Sequence, residues 1–297
     1  MNTVLACPVC GAALTLNAAA ARCANNHTFD CARNGYVNLL LSNKKQSAEP
    51  GDSLAMLKSR RTFLEGGYYD PMAAAAIAAL IDVLGAAAPT EVPGPALSEV
   101  GGHIADLGCG EGFFTARVNA ALAAVSGRRP VVYGVDISRP GIKMAASRGQ
   151  DICWLVASLH RSPFLPASLT VALSVFAPID AVDVRRVIRD DGALITVTPG
   201  PDHLDALRAL IYSAVKPHPE TPALMAGDTL FTHRSSTRVR YPIALESQSE
   251  IMQLLAMTPY YWHISRATRA AIEALPRLEL TVDAYVNVFR PNIAEAA

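Results

Sequence analysis

The 297-residue chain contains no run of about 18 apolar residues, which excludes a single continuous membrane-spanning helix. Its N-terminus lacks a basic region followed by an apolar core and a small-residue cleavage site, so export is not expected and a cytoplasmic setting is. Net charge is absent too. The 26 Lys and Arg balance 26 Asp and Glu, so overall composition points to no polyanionic partner. No internal repeat is present, and a 51% hydrophobic content argues against disorder. Without an export route disulfides are not expected, and six cysteines read more naturally as metal ligands. The length suggests about two domains.

The charge that is present is unevenly distributed. Residues 1–61 hold seven Lys and Arg against three acids, a net +4, which leaves −4 on the remainder. A basic N-terminal segment on an acidic body suits contact with a nucleic acid. The same segment, "CPVCGAALTLNAAAARCANNHTFDC", holds four of the six cysteines. Cys7 and Cys10 form a C-x2-C knuckle, and Cys23 and His27 follow in C-x3-H spacing after a twelve-residue excursion. Two close pairs of thiolate and imidazole donors suit tetrahedral Zn²⁺. With all four positions filled by protein, the site is structural and not catalytic. Cys31 competes for the fourth position; the proximity of His27 to Cys23 favours the histidine, leaving Cys31 as a small apolar residue.

After a short apolar strand in "GYVNLLLSN" and a polar connector, "DSLAMLKSRRTFLEGGYY" reads as a helix capped by Asp52 or Ser53 and ended by Gly66-Gly67. "DPMAAAAIAALIDVLG" reads as a second, with Pro71 at its first position. The Pro- and Gly-rich stretch 86–102 reads as a loop or insertion. These boundaries give a zinc-binding module over 1–45, a helical connector over 46–85 and a third, larger unit over 86–297.

From Ile104 the pattern becomes strand, glycine loop, helix and strand, a βαβ unit that implies an α/β fold with a parallel, doubly wound Rossmann-like sheet. Gly108, Gly110 and Gly112 form G-x-G-x-G, not the G-x-G-x-x-G of dinucleotide sites. Such glycines let a ligand approach the backbone, and the helix that follows offers free N–H groups. Asp106 opens the loop, where it can meet an ammonium group. Asp136, thirty residues on, ends the next strand, where a carboxylate can accept from ribose hydroxyls. Acid, three spaced glycines and a second acid fit S-adenosyl-L-methionine, which carries a ribose and an amino acid. Cys109 reads as a small cofactor-lining residue of the loop and not as a nucleophile.

Further strands are expected in "DICWLVASL", "LTVALSVFAPI" and "GALITVTPG", with "DAVDVRRVIRDDG" a helix ending at Gly192. "FAPI" leaves its strand at the rim where such sheets bind ligands, so Phe176 is a candidate to stack on a flat base, against the alternative of a core aromatic. Asp180, just beyond, is the candidate general base. Tyr260 and Trp262 are further stacking candidates, and His203 lies near the same rim.

The segments "CPVCGAAL", "CANNHTFDCARNGYVNLLL", "PGDSLAMLKSRRTFLEGGYYDPM", "ADLGCGEGFFT", "VFAP", "TPGPDHL" and "MTPYYWH" occur in that order. Together they resemble the bacterial 23S rRNA (guanine-N1)-methyltransferases, a family with a macrolide-resistance branch. The resemblance spans nearly the whole chain. It implies a zinc module joined to a class I methyltransferase domain, acting on a guanine in a 23S rRNA hairpin near the peptide exit tunnel, and a homodimer. It places zinc on Cys7, Cys10, Cys23 and His27, and cofactor contacts on Tyr69, Gly110, Glu111 and His203. RNA selection is then expected from the zinc module and its basic connector, Arg60 and Arg61 included. Two rival functions remain at this point: a small-molecule methyltransferase with a structural zinc module, and a non-catalytic zinc-containing RNA-binding protein.

Overall fold

The computed structural model describes residues 2–41, 51–86, 102–124, 129–149, 151–212, 218, 229–262 and 264–293, and not the Trp262 side chain. Residues 87–101 of the expected 86–102 insertion and most of the polar connector therefore lie outside the described residues. Strands β1 (Asn2–Ala6), β2 (Ala13–Leu16), β3 (Ala20–Cys23) and β4 (Thr28–Asp30) form an antiparallel sheet. Its tightest reversal is set by Asn17, whose Oδ1 accepts from the Ala19 and Ala20 amides at 2.9 Å. The sheet is fastened to the rest of the chain through β1. Leu5 bridges Phe164, the Ala6 amide donates to the Pro163 carbonyl, and the Leu165 amide donates to that of Val4.

The remaining elements are β5 (Tyr36–Asn38), α1 (Leu54–Glu65), α2 (Asp70–Ala86), β6 (His103–Leu107), α3 (Phe113–Ala124), β7 (Val131–Asp136), α4 (Arg139–Ala145) and β8 (Cys153–Val156). They continue with β9 (Leu169–Val175), α5 (Ala181–Val187), β10 (Ile188–Pro199), α6 (Asp205–Ile211), β11 (Phe231–Leu245), α7 (Gln248–Met257), α8 (Arg266–Glu273) and β12 (Leu278–Pro291). Eight strands make one sheet in the order β11-β12-β10-β9-β6-β7-β8-β5. β5 through β10 run parallel, while β12 is antiparallel to both β10 and β11. This is the class I methyltransferase arrangement with β5 added at one edge. β6 lies at the centre, where strand order reverses, so ligands are expected beyond the carboxyl ends of β6, β7 and β9.

Three expectations are refined. Tyr36–Asn38 pairs with Trp154–Val156 in the large sheet, so strand pairing assigns the end of the expected 1–45 module to the catalytic sheet. α1 and α2 are more than a connector, because Phe63, Leu64, Met72, Ala76 and Leu80 are buried in its main core. The helix expected to end at Gly192 stops at Val187, because Ile188 is fully buried and pairs with Leu169 as the start of β10. Gly192 instead serves a break in the β9–β10 register, where a Cβ would meet the Thr170 carbonyl at 2.8 Å. Ser53, not Asp52, caps α1 by accepting from the Met56 amide. Among the described residues no single helix is long and apolar enough to cross a membrane.

Candidate active site and zinc centre

Cys7 and Cys10 flank the knuckle after β1, Cys23 ends β3, and His27 precedes β4. Gly11 turns the knuckle with φ +76°, a conformation that costs glycine little. The three Sγ atoms and a ring nitrogen of His27 lie within 4.8 Å of one another. The separations are 3.8 Å for Cys10–Cys23, 3.7 Å for Cys7–His27 Nδ1 and 3.5 Å for Cys23–His27 Nδ1. A tetrahedron with Zn–S of about 2.3 Å has edges of about 3.8 Å, so the donor set fits Zn²⁺ in number, chemistry and spacing. Cys31 stands apart: it bridges Val37, and its thiol points to the Asn17 carbonyl at 3.6 Å.

The second site is a cavity of about 1360 Å³ beyond the carboxyl ends of β6, β7, β9 and β10. That exceeds the roughly 300–1,000 Å³ of a small-molecule pocket and leaves room beside a cofactor for a second planar group. Its walls include Tyr69, Asp106, Gly108, Cys109, Gly110 and Glu111, with Asp136, Phe176, Asp180 and His203. Of the residues expected to touch a cofactor, only Gly112 is absent from the wall. It serves packing instead, since a Cβ there would meet Trp154 at 2.7 Å and Ala145 at 2.8 Å.

Gly108, at φ +84°, lets the loop press against "FAPI", where its Cβ would come 2.4 Å from that of Ala177. The loop amides are mostly engaged within the protein. Gly108 and Cys109 donate to the Val135 carbonyl, Gly110 donates to Asp136 Oδ2, and Gly112 donates to the Cys109 carbonyl. Burial pushes the Cys109 thiol well above its ordinary range, which keeps it protonated and inert.

Among the described residues, Asp106 is one of three unfinished polar groups on the wall, with Glu111 Oε1 and His218 Nε2. Its Oδ2 accepts from the Thr115 hydroxyl at 2.5 Å, while its buried Oδ1 has no protein partner. Burial pushes the carboxyl up to about 7; the Thr115 hydroxyl opposes that rise and Asp136 adds to it. Such an oxygen on a cavity wall suits an ammonium group. Asp136 accepts from the Ser138 amide at 2.7 Å through Oδ1 and from Gly110 through Oδ2. Each oxygen keeps a lone pair for a hydroxyl. Burial raises this carboxyl too, against the pull of the Ser138 and Gly110 amides. The residues present therefore fit S-adenosylmethionine.

Opposite the loop stand three rings. Phe176 lies 5.2 Å from His203 and 6.3 Å from Tyr69, centroid to centroid, and is 40% exposed on the cavity side of β9. Its φ of +52° is a strained conformation for a bulky residue and turns the ring outward from the strand. His203 accepts the Asp283 amide at Nδ1, which leaves Nε2 protonated and 3.4 Å from the Tyr69 hydroxyl. Burial pulls His203 down to about 4, helped by His218 and Arg208, so it is neutral near pH 7. Tyr260 also lines the cavity and packs edge-on against Tyr212.

Four side chains have protein partners that the sequence did not reveal. Asp180 caps α5, its Oδ1 accepting from the Val182 and Asp183 amides at 3.0 and 3.2 Å. That gives Oδ1 a capping role, while the residue also lines the cavity. Glu111 is buried beneath Arg61 and Arg148, with Arg61 Nε 2.8 Å from its Oε2. Its carboxylate ties α1 and the segment after α4 to the glycine loop. Arg60 and Arg61, expected to face RNA, both turn inward. Arg61 also donates to the Met144 carbonyl at 2.7 Å, while Arg60 pairs with Asp52 at 2.5 Å and lines the cavity.

Sequence reasoning missed Asp52 and Arg60 as cavity wall, and Asp283 as the residue that fixes the His203 tautomer. A signal for Arg60 existed. Ser53, Met56, Arg60 and Leu64 follow helical spacing and share the face that lines the cavity.

Residues 5–48 match a zinc-ribbon family model described as "RlmA, N-terminal", and residues 104–191 match one described as "Methyltransferase domain". A protein of Micromonospora griseorubida assigned as a 23S rRNA (guanine-N(1)-)-methyltransferase is 34% identical, covering 96% of each chain. A protein of Bacillus subtilis with the same assignment is 32% identical over 93% of each. The 23S rRNA (guanine(748)-N(1))-methyltransferase of Streptomyces fradiae is 31% identical over 97% of this chain and 96% of its own. Identity of 31–34% over 93–97% of this chain and 93–96% of each relative shows that the chain belongs to the 23S rRNA (guanine-N1)-methyltransferase family.

Proposed function

We propose that the protein methylates N1 of a guanine in a hairpin of 23S rRNA near the peptide exit tunnel. The observation that carries this reading is that an outward-turned, 40%-exposed Phe176 lines the same cavity as an Asp106 oxygen without a partner among the described residues. The acids suit an amino acid and a ribose; the aromatic rings suit a base.

S-adenosylmethionine supplies an electrophilic methyl group when bound. Asp106 takes its ammonium group and Asp136 its ribose hydroxyls. Guanine N1 lies on the Watson–Crick edge, so the base must leave its stack to reach the cavity. Phe176 and Tyr260 hold its faces, and the neutral His203 keeps its Nε2–H directed at Tyr69. Methylation would require loss of the N1 proton as the N1–carbon bond forms and the methyl–sulfur bond breaks, its electron pair leaving on sulfur as a neutral thioether. His203 Nε2 already carries a proton and Asp180 Oδ1 is held by α5, which leaves Asp180 Oδ2 or a water molecule to accept the N1 proton. The chain's contribution is mainly positional. Zinc holds the N-terminal ribbon, which presents Arg22 and Arg33 on its exposed surface.

Primer extension by reverse transcriptase tests the proposal, because N1-methylguanine cannot pair. Incubation of unmodified 23S rRNA with protein and S-adenosylmethionine should create one new stop adjacent to a guanine. Absence of any stop, with methyl transfer to a small molecule in the absence of RNA, would overturn it.

A further inference from the structure

We infer that Arg60 is the receptor for the cofactor's α-carboxylate, completing with Asp106 a pair of opposite charges that recognises the zwitterionic amino acid. The inference rests on the cofactor reading above and goes beyond it, to a residue on α1 outside the glycine loop and its two acids.

The argument starts from charge. Among the described residues lining the cavity are five acids, Asp52, Asp106, Glu111, Asp136 and Asp180, and one Lys or Arg, which is Arg60. A ligand with a sulfonium and an ammonium group suits such a wall, but its carboxylate does not. In many Rossmann-like sites an anion rests on free amides at a glycine loop. That option is mostly closed here. Four of the five amides from Gly108 to Gly112 already donate within the protein, to Val135, Asp136 and Cys109. Besides the Glu111 amide and the first amides of α3, a side-chain cation over the loop would serve the carboxylate.

Arg60 is placed to be that cation. Its Nη1 lies 3.2 Å from where a Cβ on Gly110 would stand, so the guanidinium reaches the middle of the loop. A side chain at Gly110 would come between the two, which gives that glycine a reason beyond its φ of +56°. The guanidinium is held in place by Asp52 at 2.5 Å and by the Met257 carbonyl at 3.3 Å, leaving N–H groups over for a ligand. Asp52 is anchored in turn, since its carbonyl accepts from the Ser138 hydroxyl at 3.1 Å beside Asp136. Arg60 thus stands over the glycine loop on a helix fixed at both edges of the cofactor cavity.

Calorimetric titration of two ligands tests the assignment: S-adenosylmethionine and its decarboxylated form, which keeps adenine, ribose, sulfonium and ammonium. Wild-type protein should bind the decarboxylated form more weakly by roughly 10–100-fold, the range of a charge-assisted contact. Arg60→Ala should weaken S-adenosylmethionine by the same factor, leave the decarboxylated form unchanged, and so erase the discrimination. Arg60→Lys should restore part of it. Equal binding of both ligands by wild-type protein, or equal weakening of both by Arg60→Ala, would overturn the assignment. Failure of wild-type protein to bind either ligand would instead defeat the cofactor reading beneath it.

Discussion

The zinc centre and the cofactor cavity are built on opposite principles. The zinc donors come from 21 consecutive residues, face one another within 4.8 Å, and leave no ligand position open. The cavity wall gathers residues from Gly51 to Tyr260 and leaves a buried carboxylate oxygen without a partner. A closed set of mutually satisfied groups gives local order, whereas an open, unsatisfied group stores free energy that a ligand releases. The difference predicts that the two sites fail independently.

The largest effect should follow from Cys23→Ser. Structural zinc contributes about 10–16 kcal/mol to small zinc folds, so this variant should lose metal and the amide protection of β2 and β3. Cofactor affinity should stay within about twofold, as expected for distant sites. Metal analysis, hydrogen exchange and calorimetry read the three quantities. Collapse of cofactor binding together with the zinc would break the comparison and show that β1, through Phe164, holds the catalytic sheet in shape. Next in size is Glu111→Ala, which leaves Arg61 and Arg148 facing each other without their shared carboxylate. Losing one partner of a buried ion pair costs about 3–5 kcal/mol, and the partial exposure of both arginines places this case near the lower figure. The urea midpoint should fall with an unchanged m-value.

The same contrast explains what the sequence made legible. Ligand spacing is a local property, so Cys7, Cys10, Cys23 and His27 could be read directly, and Cys31 set aside. The order of strand, glycine loop and strand likewise announced the doubly wound sheet. Asp106 and Asp136 were legible as cavity-lining acids because they lie next to and at the carboxyl ends of β6 and β7. Arg60 and Arg61 were misread because net charge reports nothing about direction; their partners Asp52, Glu111 and Met144 become visible only once α1 packs on the loop. Gly112 was misread for a related reason. A glycine that admits a ligand and one that admits Trp154 look identical in sequence. β5 was assigned to the zinc module because chain continuity conceals which sheet a three-residue strand joins.

Asp106 sharpens the comparison through pH. Its carboxyl titrates near 7 in the ligand-free protein because burial disfavours the charge. Binding an ammonium group requires the ionised form, so affinity for S-adenosylmethionine should be flat above pH 8 and fall by up to about tenfold per unit below 7. Asp106→Asn should weaken binding and flatten that profile. The stability of the ligand-free protein should move the other way. The folded-state value lies above the unfolded value of about 3.9, so the group's contribution is fully present below about pH 4 and is lost as pH rises through 7. Asp106→Asn should therefore raise the urea midpoint at pH 8 and leave it almost unchanged at pH 4. A wild-type affinity that is level from pH 6 to 8 would remove Asp106 from the ammonium subsite.

The smallest effect separates the arginines that face solvent from those that face the cavity. Arg22 and Arg33 are exposed on the zinc ribbon, and Arg22 reaches only the neighbouring Thr28 hydroxyl at 3.2 Å. If both neutralise phosphates, Arg22→Ala with Arg33→Ala should lower the slope of log K against log salt by about 1.4–1.8. Cofactor affinity should not change. Arg60→Ala should do the reverse, weakening S-adenosylmethionine while the salt slope for RNA stays at its wild-type value. A common loss of slope in both variants would mean that the connector touches RNA after all. The division of labour between a ribbon that meets the polyanion and a helix that meets the cofactor would then fail at α1.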